Sequence, residues 1–416
     1  MSRPRPKVVY WNHSPTPYFV ERFNAVVQRG TLNFEAWFND RREAIRSWEV
    51  SEEDWLFPAR YIPRRRLLGW QERIPVAELI AARPDVLVQE YDRSHLTAGF
   101  IAGTRLAHRT AFRVLPNFDT WSQRTWWREV GKRFVFNAVD AAKVPGADGA
   151  RLAERYGLTP DRIEYVTQSV NVDRFAGARD LAPDDRQSRR AALGLSGCVF
   201  VYVGRLWAGK GVDDLFSAFE GLVGAGRDVS LLMVGDGPDE HRYRSRAEGL
   251  PQVVFTGFVQ APHLPTYYGL ADAMVFPTLG DPHGLVVEEA MVAGLPVICT
   301  TSAGDIAARL PDGEAGFVVR PGDALQLEGR MLSLVDDARM RVRMGSRAAE
   351  LATRRSHERY ADDFEAFVRH TLDRPARTGW IPAASRLAGR ALEFQARHTE
   401  ASAVIEPRGT LVDDRV

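Results

Sequence analysis

Apolar positions along the chain follow two alternating periods, and this alternation predicts a parallel α/β protein. Short apolar runs typical of buried strands are separated by longer segments whose apolar residues recur every three to four positions, as on one face of a helix. Strands that alternate with helices build a mostly parallel, doubly wound sheet. Strands are predicted at residues 7–11, 33–38, 85–88, 110–115, 140–144 and 163–167, and again at 198–203, 229–234, 253–256, 273–277, 296–300 and 317–319.

The length of the chain predicts two domains, because 416 residues exceed what one hydrophobic core usually supports. The strand pattern is interrupted by a stretch rich in Ala, Asp, Arg and Pro, which we interpret as a linker. The predicted order is an N-terminal domain at 1–178, the linker at 179–197, a C-terminal domain at 198–355, a helix at 356–372 and a partly mobile tail at 373–416 with one helical patch.

Bulk composition narrows the classes of function. The chain is 45% hydrophobic and 26% charged with a net charge of +1, so no overall field would attract nucleic acid. No apolar run approaches the roughly 18 residues of a membrane-spanning helix, which predicts a cytoplasmic protein. Cys198 and Cys299 lie in predicted buried strands and are expected to be core thiols.

One segment rich in arginine interrupts the first domain. The stretch Arg60–Trp70 combines aromatic and apolar residues with Arg64, Arg65 and Arg66. Such a segment could rest on an anionic membrane surface at the inner face or bind an anionic acceptor. The alternative interpretation is a solvated arginine cluster beside a partly buried hairpin or loop.

The turn after strand 198–203 carries candidate chemistry. It reads Gly204-Arg205-Leu-Trp-Ala-Gly-Lys210-Gly211, a glycine-punctuated turn that would let a diphosphate approach the backbone. Arg205 and Lys210 would balance the charge of that diphosphate. Lys210 is conspicuous because only four of the 55 basic residues are lysines. A solvated Lys/Arg pair is the alternative.

The stretch 278–300 predicts a loop, a helix at 284–293 and a strand. A loop that leads into a helix N-terminus presents unpaired N–H groups and a partial positive charge, which together favour an anion. Asp281 in the loop and Glu289 in the helix would offer acceptors to hydroxyl groups beside that anion. The combination suits a nucleotide-linked sugar, whereas Glu288 is expected to be an exposed helix carboxylate.

These motifs resemble those of the family 4 retaining glycosyltransferases of the GT-B fold, the group 1 glycosyltransferases. The resemblance implies two Rossmann-like domains facing across a cleft, with the 356–372 helix packing back on the first. It also implies transfer of a hexose-type sugar, with retention, from a UDP- or GDP-linked donor to a saccharide or lipid-linked acceptor in polysaccharide or glycoconjugate biosynthesis. The motifs that carry the resemblance are Gly204-Arg205…Lys210-Gly211, Val234-Gly-Asp-Gly-Pro238, Phe255-Thr-Gly-Phe258, Ala271–Thr278, Asp281–Val297 and Ser169–Phe175.

The resemblance assigns donor-binding roles. Arg205 and Lys210 would contact the diphosphate, Glu289 both ribose hydroxyls, and Asp281 the donor sugar, although the family more often has Glu at that position. The full donor-binding set that the resemblance implies is Gly204, Arg205, Lys210, Gly235, Gly257, Asp281, His283, Gly284, Leu285 and Glu289.

The acceptor side departs from the family pattern. A His-Asp pair usually follows the fourth strand, and here Asn117 and Asp119 occupy that place, so they join Asp281, Arg205 and Lys210 as catalytic candidates. Acceptor candidates are His13, Tyr18 and His95. No Asp-x-Asp occurs, so a metal-independent reaction without cofactor is expected, the nucleotide-sugar being a substrate.

Two other functions remain open at the level of sequence. A GT-B-shaped sugar-nucleotide epimerase would use a similar donor site and would form its product without an acceptor. A non-catalytic nucleotide-sugar-binding protein would bind the donor and release no nucleotide.

Overall fold

The structure is a computed structural model that describes residues 4–42, 47–67, 70–73, 75–90, 103–115, 126–396 and 404–405. The chain divides into two compact units. Unit 1 comprises the described residues up to Gln168 together with those from His357 onward, and unit 2 comprises Ser169–Ser356.

Strands and helices alternate along most of the chain. The strands are β1 (Lys7–Asn12), β2 (Asn33–Phe38), β3 (Ala59–Tyr61), β4 (Arg64–Leu67), β5 (Trp70–Arg73), β6 (Val86–Glu90), β7 (Arg109–Arg113), β8 (Ala141–Val144), β9 (Ile163–Tyr165), β10 (Cys198–Val203), β11 (Val229–Val234), β12 (Val253–Gly257), β13 (Ala273–Phe276), β14 (Val297–Thr300), β15 (Gly316–Val319) and β16 (Val404–Ile405). The helices are α1 (Pro17–Gln28), α2 (Val76–Ala82), α3 (Trp126–Ala138), α4 (Ala147–Arg155), α5 (Val172–Ala176), α6 (Pro183–Ala192), α7 (Val212–Gly224), α8 (Glu240–Arg246), α9 (Leu264–Leu270), α10 (Leu285–Val292), α11 (Ala324–Asp336), α12 (Ala338–Ala352), α13 (His357–Asp373) and α14 (Trp380–Ala396).

Unit 1 is built on a sheet with the order β16-β3-β2-β1-β6-β7-β8-β9. All neighbours in it are parallel except β16, which runs antiparallel to β3. One face carries an aromatic core that includes Tyr10, Phe23, Phe34 and Phe364. Because Phe364 comes from α13, which packs along α1, the C-terminal helix is part of this core.

Unit 2 is built on a fully parallel sheet with the order β12-β11-β10-β13-β14-β15. Every residue of β10, β11, β13 and β14 is buried, because helices cover both faces of the sheet. The order reverses between β10 and β13. In open α/β sheets such a switch point, at the carboxyl ends of the strands, is where ligands bind.

The predicted doubly wound class is confirmed, and each predicted strand is present with its ends within two residues of the prediction. Strand β3 was not predicted, because Arg60 interrupts its apolar pattern. Arg60 is buried, its Nε lies 2.6 Å from Glu35 Oε1 and its guanidinium stacks over Trp37. An internal carboxylate thus permits the arginine inside the sheet.

The burial of Arg60 corrects part of the membrane prediction, since this side chain cannot reach an anionic surface. The rest of the segment contains the antiparallel pair β4–β5, in agreement with the hairpin alternative. The side chains of Arg64, Arg65 and Arg66 lie outside the described part of the structure. Among the described helices, none combines the length and apolarity needed to cross a membrane.

The segment predicted as a linker is held firmly on unit 2. Its helix α6 carries Arg186 and Arg190, whose guanidinium groups lie 2.9 and 2.8 Å from the two carboxylate oxygens of Asp272. Asp272 also accepts a hydrogen bond of 2.8 Å from the backbone N–H of Val199. The carboxylate therefore joins α6 to the start of β10.

The last described helices belong to unit 1. Helix α14 contacts α2 and α3. Before it, Arg377 donates hydrogen bonds to the carbonyl of Phe136 and the side chain of Asn137, at 3.1 and 2.9 Å. The first part of the predicted tail is therefore bound to the unit.

The two cysteines are buried and unpaired, as predicted. Burial raises the pKa of the Cys198 thiol to about 11 and that of the Cys299 thiol to about 12. Neither thiol is therefore poised as a nucleophile.

Candidate functional site

The loops that follow β10 and β13 are packed against each other at the switch point of unit 2. The backbone N–H of Leu279 donates to the carbonyl of Gly209 at 3.1 Å. Gly211 has a φ of +66°, and a Cβ atom there would lie 1.9 Å from the carbonyl oxygen of Pro277. Only glycine fits such a close approach, and it brings Lys210 next to the loop after β13.

Lys210 and Asp281 form an ion pair in this position. Lys210 Nζ lies 2.5 Å from Asp281 Oδ2, and the two side chains are 16% and 17% exposed. Asp281 Oδ1 accepts a hydrogen bond of 2.9 Å from the backbone N–H of His283. Burial alone would raise the pKa of Asp281, but the charge of Lys210 and these hydrogen bonds hold that pKa below its usual range. The pair is therefore charged and still partly accessible to solvent.

The N-terminus of α10 follows directly. Its N-cap residue is Gly284, with a φ of +71° and no side chain to accept from the first N–H groups. A Cβ at Gly284 would lie 2.8 Å from the Phe276 ring, so this position also requires glycine. Leu285 begins the helix, and because no side chain caps this end, its N-terminus favours an anionic partner.

Arg205 stands on the same edge of the sheet. Its side chain is partly exposed, and within the described residues its guanidinium forms no ion pair. The neighbouring glycines join the ends of three strands: Gly204 N donates to the Val234 carbonyl at 3.0 Å and Gly235 N to the Gly257 carbonyl at 2.9 Å. The strand ends thus form a close-packed backbone surface beside Arg205.

Glu289 is fully buried on α10. Its Oε2 accepts a hydrogen bond of 2.8 Å from the hydroxyl of Tyr268, a buried residue of α9. A carboxylate can accept several hydrogen bonds, and the contact to Tyr268 fixes the orientation of this one. The orientation that Tyr268 gives to Glu289 was not foreseen, because no local pattern links the two residues.

The expectation that Glu288 is exposed is wrong. Glu288 is completely buried, with Oε1 2.5 Å from Arg309 Nη1 and 3.4 Å from His283 Nε2. Helix α10 is covered by its own sheet on one side and by α12 on another, so it has no solvated face at this position. Burial would raise the pKa of Glu288, but Arg309 outweighs it and holds this pKa well below the usual range.

His283 is also buried, and this changes its expected role. Burial and, to a smaller extent, the nearby charge of Arg309 lower the pKa of the imidazole to about 4. The ring is therefore neutral near pH 7. It lies against Glu288, while its backbone N–H serves Asp281.

The acceptor-side candidates are described less completely. His13 Nε2 lies 4.0 Å from Asp40 Oδ2, and its side chain is 42% exposed. Tyr18 makes an edge-on ring contact with Trp48 at 5.9 Å. His95, Asn117 and Asp119 lie outside the described residues, so their roles stay predictions.

Known proteins are similar to this chain in sequence and in fold. A family model for group 1 glycosyl transferases matches residues 197–337. The sulfoquinovosyl transferase SQD2 of Arabidopsis thaliana is 28% identical over 245 residues, which are 57% of this chain and 45% of that protein. The alpha-D-kanosaminyltransferase of Streptomyces kanamyceticus is 32% identical over 248 residues, which are 58% of this chain and 60% of that protein.

A solved structure matches over more of the chain. Anabaena HepE in complex with UDP has a TM-score of 0.70 and 17% identity, covering 86% of this chain and 98% of that one. At this identity the match shows the fold alone, and the chain spans only about half to three-fifths of the length of the two curated relatives. The resemblance found in the motifs is confirmed at the level of the domain and the fold: residues 197–337 match the group 1 glycosyl transferase model, and the chain has the GT-B fold.

Proposed function

We propose that the protein transfers a sugar from a nucleotide-linked donor to an acceptor, with the donor bound by unit 2. The observation that carries this proposal is the Lys210–Asp281 pair, which stands at the switch point of the sheet beside the open N-terminus of α10. Cations and helix N–H groups suit the diphosphate, and a carboxylate suits sugar hydroxyls.

The charges of the site fit the departure of a nucleoside diphosphate. When the bond between the anomeric carbon and the phosphate oxygen breaks, negative charge develops on the leaving diphosphate. Arg205, Lys210 and the N-terminus of α10 would stabilise that charge without reorganising, because the Lys210 side chain is already held by Asp281. This is why we propose a metal-independent reaction without cofactor.

The remaining donor contacts follow from the same helix. Glu289, oriented by Tyr268, would accept hydrogen bonds from the ribose hydroxyls, and Asp281 from a hydroxyl of the sugar. The complex of HepE with UDP and the names of the curated relatives support a nucleotide-sugar as the donor. We propose UDP or GDP as the nucleotide and a hexose-type sugar as the transferred group.

The acceptor and the stereochemistry are the finer parts of the proposal. We propose a saccharide or lipid-linked acceptor, contacted by unit 1, and retention of configuration. In a retaining transfer the departing phosphate oxygen can take the acceptor proton on the same face, so no strong enzymatic base is required. Asn117 and Asp119 are proposed to replace the usual His-Asp pair.

Nucleotide release from UDP- and GDP-sugars tests this function, with saccharide and lipid extracts as acceptor pools. We expect acceptor-dependent release by the native protein, a loss of at least tenfold in the Lys210→Ala and Glu289→Ala variants, and unchanged release in Arg347→Ala, which removes an exposed cation of unit 2. Native turnover in both site variants would overturn the donor site. An altered sugar-nucleotide without any acceptor would identify an epimerase, and donor binding without release a non-catalytic binding protein.

A further inference from the structure

A buried polar cluster lies next to the candidate donor loop, and we call it the Arg309 cluster. It consists of His283, Glu288 and Arg309, which are 5%, 0% and 4% exposed. None of the donor contacts proposed above uses the side chain of Glu288 or Arg309. Their position therefore needs a separate explanation.

Arg309 joins two loops through their backbones. Its guanidinium donates to the carbonyl oxygens of His283, Ala303 and Gly304, the last two at 2.8 and 3.0 Å. The same loops are tied by a backbone hydrogen bond of 3.0 Å from Gly304 N to the carbonyl of Asp281. The fork of one arginine thus fixes the loop that carries Asp281 against the loop after β14.

Glu288 supplies the charge that lets this arginine be buried. The distance of 2.5 Å between Arg309 Nη1 and Glu288 Oε1 makes a close pair in which both groups are almost fully desolvated. Arg355 Nε, at 4.0 Å from the same oxygen, adds a second positive charge. The neutral His283 completes the surroundings of the carboxylate.

Stabilisation of the fold does not by itself explain the Arg309 cluster. Burying an ion pair costs desolvation free energy that an apolar pair of similar volume avoids, and such a replacement is often neutral or stabilising. In addition, Arg309 Nε and Glu288 Oε2 are buried without a hydrogen-bond partner in the described part of the chain. An apolar packing would serve the core at least as well, so the cluster must be explained by what it positions.

The position of the loop that Arg309 holds determines where the side chain of Asp281 lies. An aspartate has two rotatable side-chain bonds, so its carboxylate follows the backbone closely. A displacement of the 281–283 loop by about 1 Å would break the short contact to Lys210 and would misplace the acceptor for the sugar.

We propose that Arg309, charge-balanced by Glu288, is a positioning residue that holds the carboxylate of Asp281 beside Lys210 for the donor sugar. The kinetic part of this inference rests on the proposed function. The geometric part concerns only the Lys210–Asp281 pair and can be measured without turnover.

The kinetic test compares single and double substitutions. Arg309→Met leaves the Glu288 charge buried and should lower the melting temperature, whereas the double variant Arg309→Met/Glu288→Leu should recover it. We expect the double variant to bind the nucleoside diphosphate at least as tightly as the native protein while its kcat is lower by at least tenfold. Native kcat in a double variant of native stability would overturn the proposal.

A conservative variant covers the case in which the double variant does not fold. Arg309→Lys keeps a positive charge, but the three N–H donors of one ammonium cannot serve both Glu288 and the three carbonyl oxygens that the guanidinium contacts. It should fold, bind the nucleoside diphosphate and turn over at least tenfold more slowly. If Arg309 had only a structural role, stability and kcat would fall together in Arg309→Lys. A native kcat in this variant would contradict a positioning role.

The pKa of Asp281, measured from its carboxyl carbon resonance, tests the geometric part without any activity. Because Lys210 lowers this pKa in the native protein, a displaced loop should let it rise toward the ordinary value of an aspartate. An unchanged pKa in the Arg309 variants would overturn the inference. A raised pKa in a protein that never releases nucleotide would retain the positioning role and reject the proposed function.

Discussion

Lys210 Nζ and Asp281 Oδ2 lie 2.5 Å apart, although 71 positions separate the two residues in the chain. The contact joins the turn after β10 to the loop after β13, where the order of the sheet reverses. The diphosphate of the donor would approach Lys210, and a hydroxyl of its sugar would approach Asp281. Substitution of either residue should therefore change the function of the other.

Asp281→Asn separates binding from turnover. Removing this carboxylate frees the charge of Lys210, so the affinity for a nucleoside diphosphate should rise by about three- to tenfold, or about 1 kcal/mol. The kcat for sugar transfer should fall, since the acceptor for the sugar hydroxyl is weakened. Calorimetry and nucleotide release measure both, with Asp336→Asn as an exposed control. Weaker diphosphate binding in Asp281→Asn would contradict the arrangement.

Tyr268→Phe tests the orientation of Glu289. Without the hydroxyl, the buried carboxylate loses a hydrogen bond of 2.8 Å, a change that costs about 1–3 kcal/mol when charge is involved. UDP or GDP should bind about tenfold more weakly, whereas inorganic pyrophosphate, which has no ribose, should bind as before. Tyr267→Phe is the neighbouring control. Equal losses for both ligands would argue against a ribose contact.

The buried His283 predicts a loss of stability in acid. Its pKa is about 4 in the folded state, against a usual value of 6.5, so the unfolded chain binds the proton more readily. The stabilisation is present above about pH 6.5 and is lost as the pH falls toward 4, by an amount on the order of 2 kcal/mol at pH 5. Denaturant unfolding at pH 7 and pH 5 should show a smaller loss in His283→Phe. An equal loss in both proteins would show that His283 is not buried neutral.

Asp272 should be important for stability and not for donor chemistry. Its carboxylate accepts from Arg186, Arg190 and the N–H of Val199, so Asp272→Ala leaves two partly buried cations without their partner. We expect a loss of about 2–4 kcal/mol in the free energy of unfolding. The exposed pair of Arg227 and Asp336 is the control, and Asp336→Ala should cost less than about 1 kcal/mol. Comparable losses would contradict the role of Asp272.

Much of the fold could be predicted from the sequence because its strands are buried on both faces. In β10 all six residues are apolar and buried, and such a run is read directly as a central strand. Strand β3 escaped prediction because Arg60 is made compatible with the core by Glu35, which lies in a different strand. Pairings between distant residues of this kind leave no local pattern.

The same limit applies to the candidate site. Glycine turns, a rare lysine and a helix start indicated an anion site, and the structure brings Lys210, Asp281 and the N-terminus of α10 to one edge. Glu288 was misplaced because a helix covered on several sides has no polar stripe to mark its exposure. Arg309, 21 positions further on, carried no signal of its contact with Glu288.

Calorimetric titration with UDP and GDP tests the central claim most directly, namely that unit 2 binds the diphosphate of a nucleotide-linked sugar at Arg205, Lys210 and the N-terminus of α10. The account predicts that one of these nucleotides binds, that uridine or guanosine without phosphates binds far more weakly, and that Lys210→Ala loses at least tenfold in affinity while Arg347→Ala is unchanged. Absence of binding by both nucleotides, or equal affinity in the native protein and Lys210→Ala, would contradict it.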